Sequence, residues 1–272
     1  MDSLQHVREQ LVHFGKLIHQ QGFVSSCDGN LSVRLEDNTI LSTPTGISKG
    51  MMSPEDMVQV DMQGRMIAGT RNVSSEIAMH LAIYHMRPDV NAVVHAHPVT
   101  ATGFASAGMA LDEPVCAEVV VTLGAVPLAT YATTGTPALS ESLLPYIPDY
   151  DAILLANHGA VTYGMDLMQA YLKMETVEHF AKILLVTHQL GRQQRLSKEN
   201  IQKLVDARRR YEGYKSLASM PPGPVPKPTI RDRERELVNS LRKSSNKMIA
   251  LALLAIHSMK DGLGDAFSDL VH

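Results

Sequence analysis

The chain has 272 residues, 44% of them hydrophobic and 19% charged, and a formal net charge of −3. Such a balance supplies no basic face for nucleic acid, and the absence of Trp weakens any base-stacking platform. Two cysteines, Cys27 and Cys116, make no disulfide framework and fit a reducing compartment.

The opening stretch MDSLQHVREQ has no apolar signal core, so a cytoplasmic protein is expected. Leu4, Val7, Leu11, Phe14 and Ile18 follow helical spacing, so residues 3–20 read as an amphipathic helix closed by Gly22. CDGNLSVRL reads as a Gly-Asn turn feeding a strand, TILSTPTGIS as a short strand entering a Pro-Gly loop, and DMVQVDMQG as a third strand. SSEIAMHLAIYHM opens with serine before a helix-forming run. NAVVHAHP reads as a buried strand, TATGFASAGM as a short helix, and both AEVVVTLG and VPLATYA as strands. TPALSESLLPYI is helical, DAILLANHGAVTYG reads strand, turn, strand, and two helices follow at about 166–190 and 197–214.

Composition changes near residue 219, where SMPPGPVPKPT carries prolines at 221, 222, 224, 226 and 228, the mark of a semi-rigid spacer. The expected organisation is therefore a compact domain at 1–215, a linker at 216–229 and a helical tail at 230–272. The tail's run MIALALLAI, at 248–256, is far shorter than the roughly 20 residues that span a bilayer. Leu237, Leu241, Met248, Leu251 and Ile256 make a broken apolar stripe that asks for burial, on the chain's own assembly or on a partner.

Chemistry concentrates where apolar segments end. His95 and His97 are two apart after an apolar run, and neighbours at i and i+2 on a strand share a face. Glu76 stands at a helix start and His158 in a tight turn, completing three imidazoles and a carboxylate. Three histidines with an open position describe a catalytic zinc site, and the carboxylate is a fourth ligand or a general base. The other histidines, among them His13, His19, His80, His85, His179 and His188, fit solvated helix faces. Asn30, Thr45, Gly46, Ser74 and Ser75 offer an amide, hydroxyls and free backbone N–H groups of the kind that hold an anion. Capping and turn formation account for the same residue types.

The ordered set GNLSVR, TPTG, SSE, VVHAHP, YATTGT and NHG resembles the class II aldolase/adducin family over residues 3–215. The resemblance implies an α/β fold: a single three-layer domain with a mainly antiparallel central sheet flanked by helices, here followed by the C-terminal helical tail. It implies zinc, or manganese or cobalt, on His95, His97 and His158, with Glu76 as a ligand of the resting metal and the proton-transfer group. It assigns Asn30, Thr45, Gly46, Ser74 and Ser75 to substrate phosphate and Tyr211 to a tyrosine that closes over the site. Members are often fourfold-symmetric homotetramers.

The resemblance is strongest to members that cleave fuculose 1-phosphate. The expected reaction is reversible cleavage of a ketose 1-phosphate, fuculose- or rhamnulose-1-phosphate-like, to dihydroxyacetone phosphate and a small aldehyde. Decarboxylation of a sugar-acid phosphate, epimerisation of a pentulose phosphate and dehydration are the alternatives, with an adducin-like structural module behind them. The chain departs from the pattern at Cys116, which stands where the aldolases carry a proton-donating tyrosine from a neighbouring subunit, with Glu118 two residues on. The Pro-rich linker and terminal helix resemble the peptides that load enzymes into bacterial microcompartments, which makes a shell protein an expected partner.

Overall fold

The apolar spacing of the first segment produces α1 (Ser3–Gln20), which buries Leu11, Phe14 and Ile18 and leaves His13 and His19 in solvent. The structure is a computed structural model that describes residues 3–211, with side chains described from Leu4 to Ala207. The linker and tail expected at 216–229 and 230–272 lie outside the described residues.

After α1 come β1 (Asn30–Arg34), β2 (Ile40–Ser42), β3 (Val58–Val60) and β4 (Met66–Ala68), then α2 (Ile77–Met86), β5 (Ala92–Ala96) and α3 (Val99–Ser106). The chain continues through α4 (Ala117–Thr122), β6 (Leu128–Ala129), α5 (Pro137–Leu143), β7 (Ala152–Leu155), β8 (Gly159–Gly164), α6 (Leu167–Gln189) and α7 (Lys198–Tyr211). The eight strands form one sheet in the order β4-β3-β2-β1-β5-β8-β7-β6, and only the β6–β7 pair is parallel.

Strand alternation divides the core in two. Leu31, Val94, Leu154 and Ala160 join Leu11 of α1, Phe104 of α3 and Phe180 of α6 on one face. Val93, Ile153 and Val161 join Ile83 of α2 and Leu143 of α5 on the other. The result is a three-layer α/β domain.

One segment departs from its sequence pattern. AEVVVTLG, expected as a strand, is the helix α4, with Cys116 as N-cap in extended backbone. A short β-branched run does not distinguish a strand from a buried helical turn, and here Val119 and Val120 are buried as successive residues of one apolar face. A strand absent from the sequence reading, β4, is exposed at all three residues and so carries no alternating apolar signal.

Candidate metal centre

The antiparallel register places Asn30 opposite His95 and His95 opposite Val161, so β1, β5 and β8 meet at the histidine strand. His95 is the penultimate residue of β5 and has no solvent exposure. His97 lies just past the strand end, its backbone N–H donating to the Phe23 carbonyl at 2.8 Å. A hydrogen bond from the His158 N–H to the Leu155 carbonyl, 3.0 Å, closes the β7–β8 turn, with Asn157 in left-handed backbone at φ 56°. Asparagine tolerates that conformation better than most residues.

Two glycines are required by close approach. A Cβ on Gly159 would stand 2.5 Å from the His97 ring, and one on Gly29 would stand 2.7 Å from the His95 carbonyl oxygen. Gly29 also has φ +69°. The helix that begins after His97 is anchored from behind. The buried Glu178 carboxylate on α6 accepts the backbone N–H groups of Thr100 and Ala101, the latter at 2.9 Å.

Ring centroids of the three histidines lie 4.7 to 4.9 Å apart, and one nitrogen of each falls within 4.8 Å of the others. His95 Nδ1 lies 2.9 Å from the Ala160 carbonyl, which can only accept, so that nitrogen carries a proton and Nε2 is the one turned to the site. That second nitrogen faces His97 Nε2 at 3.1 Å and Glu76 Oε2 at 3.3 Å. Glu76 Oε1 is 3.2 Å from His158 Nε2. Neither that oxygen nor His158 Nδ1 makes a hydrogen bond of good direction, although both are buried.

Burial pushes the Glu76 carboxyl up, but the His95 and His158 imidazoles outweigh it and hold the group well below the usual range, as a carboxylate. Burial first, then the other two imidazoles, lowers His97 to about 3 against the opposing pull of Glu76. Three imidazoles around an under-satisfied carboxylate oxygen are the donor set of a divalent metal, so these residues could hold one. His97 Nδ1 points toward Asp28 Oδ2 at 3.7 Å, the position of a carboxylate that orients a ligating imidazole.

His97, His158 and Glu76 border a cleft of about 290 Å³ whose lining includes Thr45, Ser74, Ser75 and Thr134, with His95 buried behind them. A backbone bridge between Pro44 and Val73, with the Thr45 N–H donating to the Asn72 carbonyl, brings the TPTG loop against the segment that starts α2. Gly46 turns that loop at φ +74°. Ser74 Oγ accepts the N–H of Glu76, the N-cap of α2, at 3.2 Å. Hydroxyls thus collect at a helix N-terminus, where the dipole and unpaired N–H groups favour an anion.

Sequence reasoning missed three residues here. Lys49 is buried at 1% exposure, and its ammonium donates to the Cys27 and Ile47 carbonyls, joining two loops of the cleft. Asp28, next to the Gly-Asn turn of CDGNLSVRL, carries no pattern that singles it out. His80, expected on a solvated face, is also buried at 1% exposure. The detectable signal for His80 was its neighbourhood, since IAMHLAIY is apolar on every side and lies four residues from Glu76 on one helix face.

Cys116 and Glu118 border a different and larger hollow of about 940 Å³ against α6, which holds none of the three histidines. The Cys116 thiol donates to Glu118 at 3.2 Å, and burial together with that carboxylate pushes its pKa up. Tyr211 is the last residue of α7, and its side chain lies outside those described.

Residues 9–185 match the family model "Class II Aldolase and Adducin N-terminal domain". A 3-oxo-tetronate 4-phosphate decarboxylase of Pectobacterium atrosepticum is 36% identical over 191 residues, which is 68% of this chain and 87% of that protein. A 5-deoxy-D-ribulose 1-phosphate aldolase of Bacillus thuringiensis serovar kurstaki is 33% identical over 213 residues, 78% of this chain and 98% of that protein. A solved L-fuculose 1-phosphate aldolase superposes with a TM-score of 0.70 at 31% identity, covering 76% of this chain and 97% of its own.

Proposed function

The chain belongs to the class II aldolase and adducin family, and on that premise we propose that it is a metal-dependent lyase acting on a short phosphorylated ketose. The observation that carries this reading is the convergence of His95, His97 and His158 on a buried carboxylate oxygen that lacks a partner. The same convergence argues against an adducin-like structural role, which has no use for four ligand-competent groups around one point.

In this reading His95, His97 and His158 hold zinc, with manganese or cobalt as alternatives that imidazole and carboxylate also accept. A divalent metal bound there would supply Lewis-acid chemistry, polarising a substrate carbonyl and stabilising negative charge that develops on its oxygen. Thr45, Gly46, Ser74 and Ser75 receive the phosphate, fixing the non-reacting end and so the orientation of the reacting one, whereas Asn30, expected with them, lines the same cleft with both ends of its amide already bonded to Glu76 and His80. The electrons of the breaking carbon–carbon bond pass to the carbon next to the carbonyl. Glu76 moves the proton at that carbon.

Aldol cleavage of a ketose 1-phosphate would release dihydroxyacetone phosphate and an aldehyde. A second reading is decarboxylation of a 3-oxo acid phosphate, favoured by the decarboxylase among the relatives. It uses the same carbonyl polarisation and the same carbon acid. Cys116 does not border the cleft in the single chain, so the group that takes the C4 hydroxyl proton as the aldehyde forms, and returns it in condensation, comes from elsewhere. A homotetramer and closure by Tyr211 are further proposals. So are the 1–215, 216–229 and 230–272 division and a tail that docks on a microcompartment shell protein. Among the described residues, no helix is long and apolar enough to cross a membrane.

The test is a panel of ketose 1-phosphates, fuculose, rhamnulose and 5-deoxyribulose forms included, assayed for dihydroxyacetone phosphate with and without chelator. A 3-oxo-tetronate 4-phosphate is assayed for carbon dioxide in parallel. Chelator-sensitive release in one arm selects the reaction. Release that survives complete metal removal would overturn the metal-dependent reading.

A further inference from the structure

Behind Glu76 runs a chain of buried side chains that the proposed reaction does not use. Asn30 and Ser32 alternate on one face of β1, and Glu76, His80 and Tyr84 repeat every four residues along α2. Two strand residues span about 6.6 Å and four helical residues about 6.0 Å, so the two series stay in step. Asn30 Nδ2 lies 2.9 Å from Glu76 Oε2, and Asn30 Oδ1 lies 2.5 Å from His80 Nε2. His80 Nδ1 lies 2.6 Å from Ser32 Oγ, which lies 2.8 Å from the Tyr84 hydroxyl. Asn30, Ser32, His80 and Tyr84 are all at most 4% exposed.

Chemistry fixes the direction of every link. A carboxylate only accepts, so Asn30 must turn its NH₂ toward Glu76. Its carbonyl oxygen then faces His80 and can only accept, so His80 carries its proton on Nε2. Burial, with the neighbouring His95 imidazole adding to it, lowers His80 to about 3 against Glu76, so the ring is neutral and Nδ1 is bare. Ser32 must donate its one hydrogen into that nitrogen, and Tyr84 must then donate to Ser32. Burial raises the Tyr84 phenol, which keeps its hydrogen. The far end is anchored by Arg34, which stacks 5.0 Å over the Tyr84 ring and donates to the Tyr84 carbonyl.

We propose that His80 is a positioning residue for Glu76: held in the Nε2–H form by Ser32 and Tyr84, it locks the Asn30 amide so that the amide grips one carboxylate oxygen and leaves the other aimed at the cleft. Without the His80 N–H, Asn30 could rotate and set its own carbonyl against the carboxylate. The proposal rests on Glu76 being the proton-transfer group.

Two measurements on the full-length, metal-loaded protein test it. The first is the tautomer of His80, read from one-bond ¹⁵N–¹H couplings and ¹⁵N shifts of labelled histidine, assigned with His80→Gln. A proton on Nε2 alone is expected; a proton on Nδ1, or on both nitrogens, overturns the proposal. The second compares His80→Phe with His80→Gln, whose amide can still donate to Asn30. His80→Phe should lose about 10- to 100-fold in kcat, with KM changed by less than about threefold and metal content unchanged, while His80→Gln recovers most of the loss. Unchanged kcat in His80→Phe, or an equal loss in both variants, sinks the positioning role. If His80→Phe does not fold, His80→Leu takes its place, with the same loss expected and the same two results overturning the proposal. If the wild type turns over no substrate of the panel, the functional reading fails while the tautomer still decides this one.

Discussion

Two carboxylates of this protein are buried to the same degree, Glu76 and Asp151, each 9% exposed, and their surroundings could hardly differ more. Asp151 sits between two cations, Lys173 Nζ at 2.9 Å and Arg87 Nη2 at 2.9 Å, and the same Arg87 forks onto Asp89 at 2.7 and 2.8 Å. Glu76 has an amide on one oxygen and imidazoles on both sides, and its second oxygen has no hydrogen bond. A buried charge that is paired with permanent cations is a finished structural object. One left short of partners is costly unless something else supplies positive charge. The difference marks out which of the two clusters could receive a metal.

The largest expected effect of breaking that difference is at the histidines. His95→Ala removes the nitrogen nearest both His97 and Glu76, so the variant should bind metal substoichiometrically and lose all measurable turnover. Elemental analysis after gel filtration reads the first, the panel assay the second. Treatment of the wild type with a strong chelator should reproduce the loss, and added zinc should restore it. Metal at full stoichiometry in His95→Ala would remove His95 from the site.

Glu76→Gln comes next. It keeps the size of the side chain and one acceptor oxygen, so metal should stay while kcat falls by about 10²- to 10⁴-fold, the range of a positioned general base or acid. Asp151→Asn is the matched control, with kcat near wild type at a temperature where it remains folded. A similar loss of kcat in both variants would erase the contrast between the two carboxylates.

Lys173 then sharpens the structural side. It is 5% exposed, and its ammonium bonds both Asp151 and the Tyr163 carbonyl. Lys173→Met should cost about 3–5 kcal/mol of unfolding free energy, because a buried carboxylate loses one of its two cations. Denaturant melts measure this, and metal content should be untouched.

Much of this contrast could be read from the chain before folding, and the part that could not has a physical cause. The α1 stripe and the strands around VVHAHP and NHG follow from apolar period alone, and the sequence places His95, His97, His158 and Glu76 at segment ends, where a site has access to a cleft. The proximity of Thr45 to Ser74 does not follow, because it depends on a bridge between Pro44 and Val73 that no local pattern encodes. Lys49 goes unremarked in the sequence, and His80 is placed in solvent, for a related reason. A polar residue is assigned to solvent by default, and only the tertiary partners, two loop carbonyls for Lys49 and Asn30 with Ser32 for His80, make burial tolerable. AEVVVTLG failed differently, since β-branched residues favour strands only where a neighbouring strand is there to pair.

The smallest effect expected is at Asp89, at the solvent edge of the Arg87 cluster. The Arg87 guanidinium, followed by an opposing but smaller effect of burial, lowers the Asp89 carboxyl below its ordinary 3.8. A carboxyl whose folded-state value is depressed contributes stability above its unfolded value and loses it as pH falls through the folded one. The Asp89 side chain is 48% exposed, so solvent screening limits the contribution to at most about 1 kcal/mol. Asp89→Asn should therefore melt slightly below wild type at about pH 7, and the gap should close as the pH is lowered through about 4 toward the depressed value. A gap that stays constant into acid would mean that Asp89 acts through packing rather than charge. It would also mean that Arg87 is balanced by Asp151 alone, which would make the structural cluster a closed pair of cations around one carboxylate, with the surface aspartate outside it.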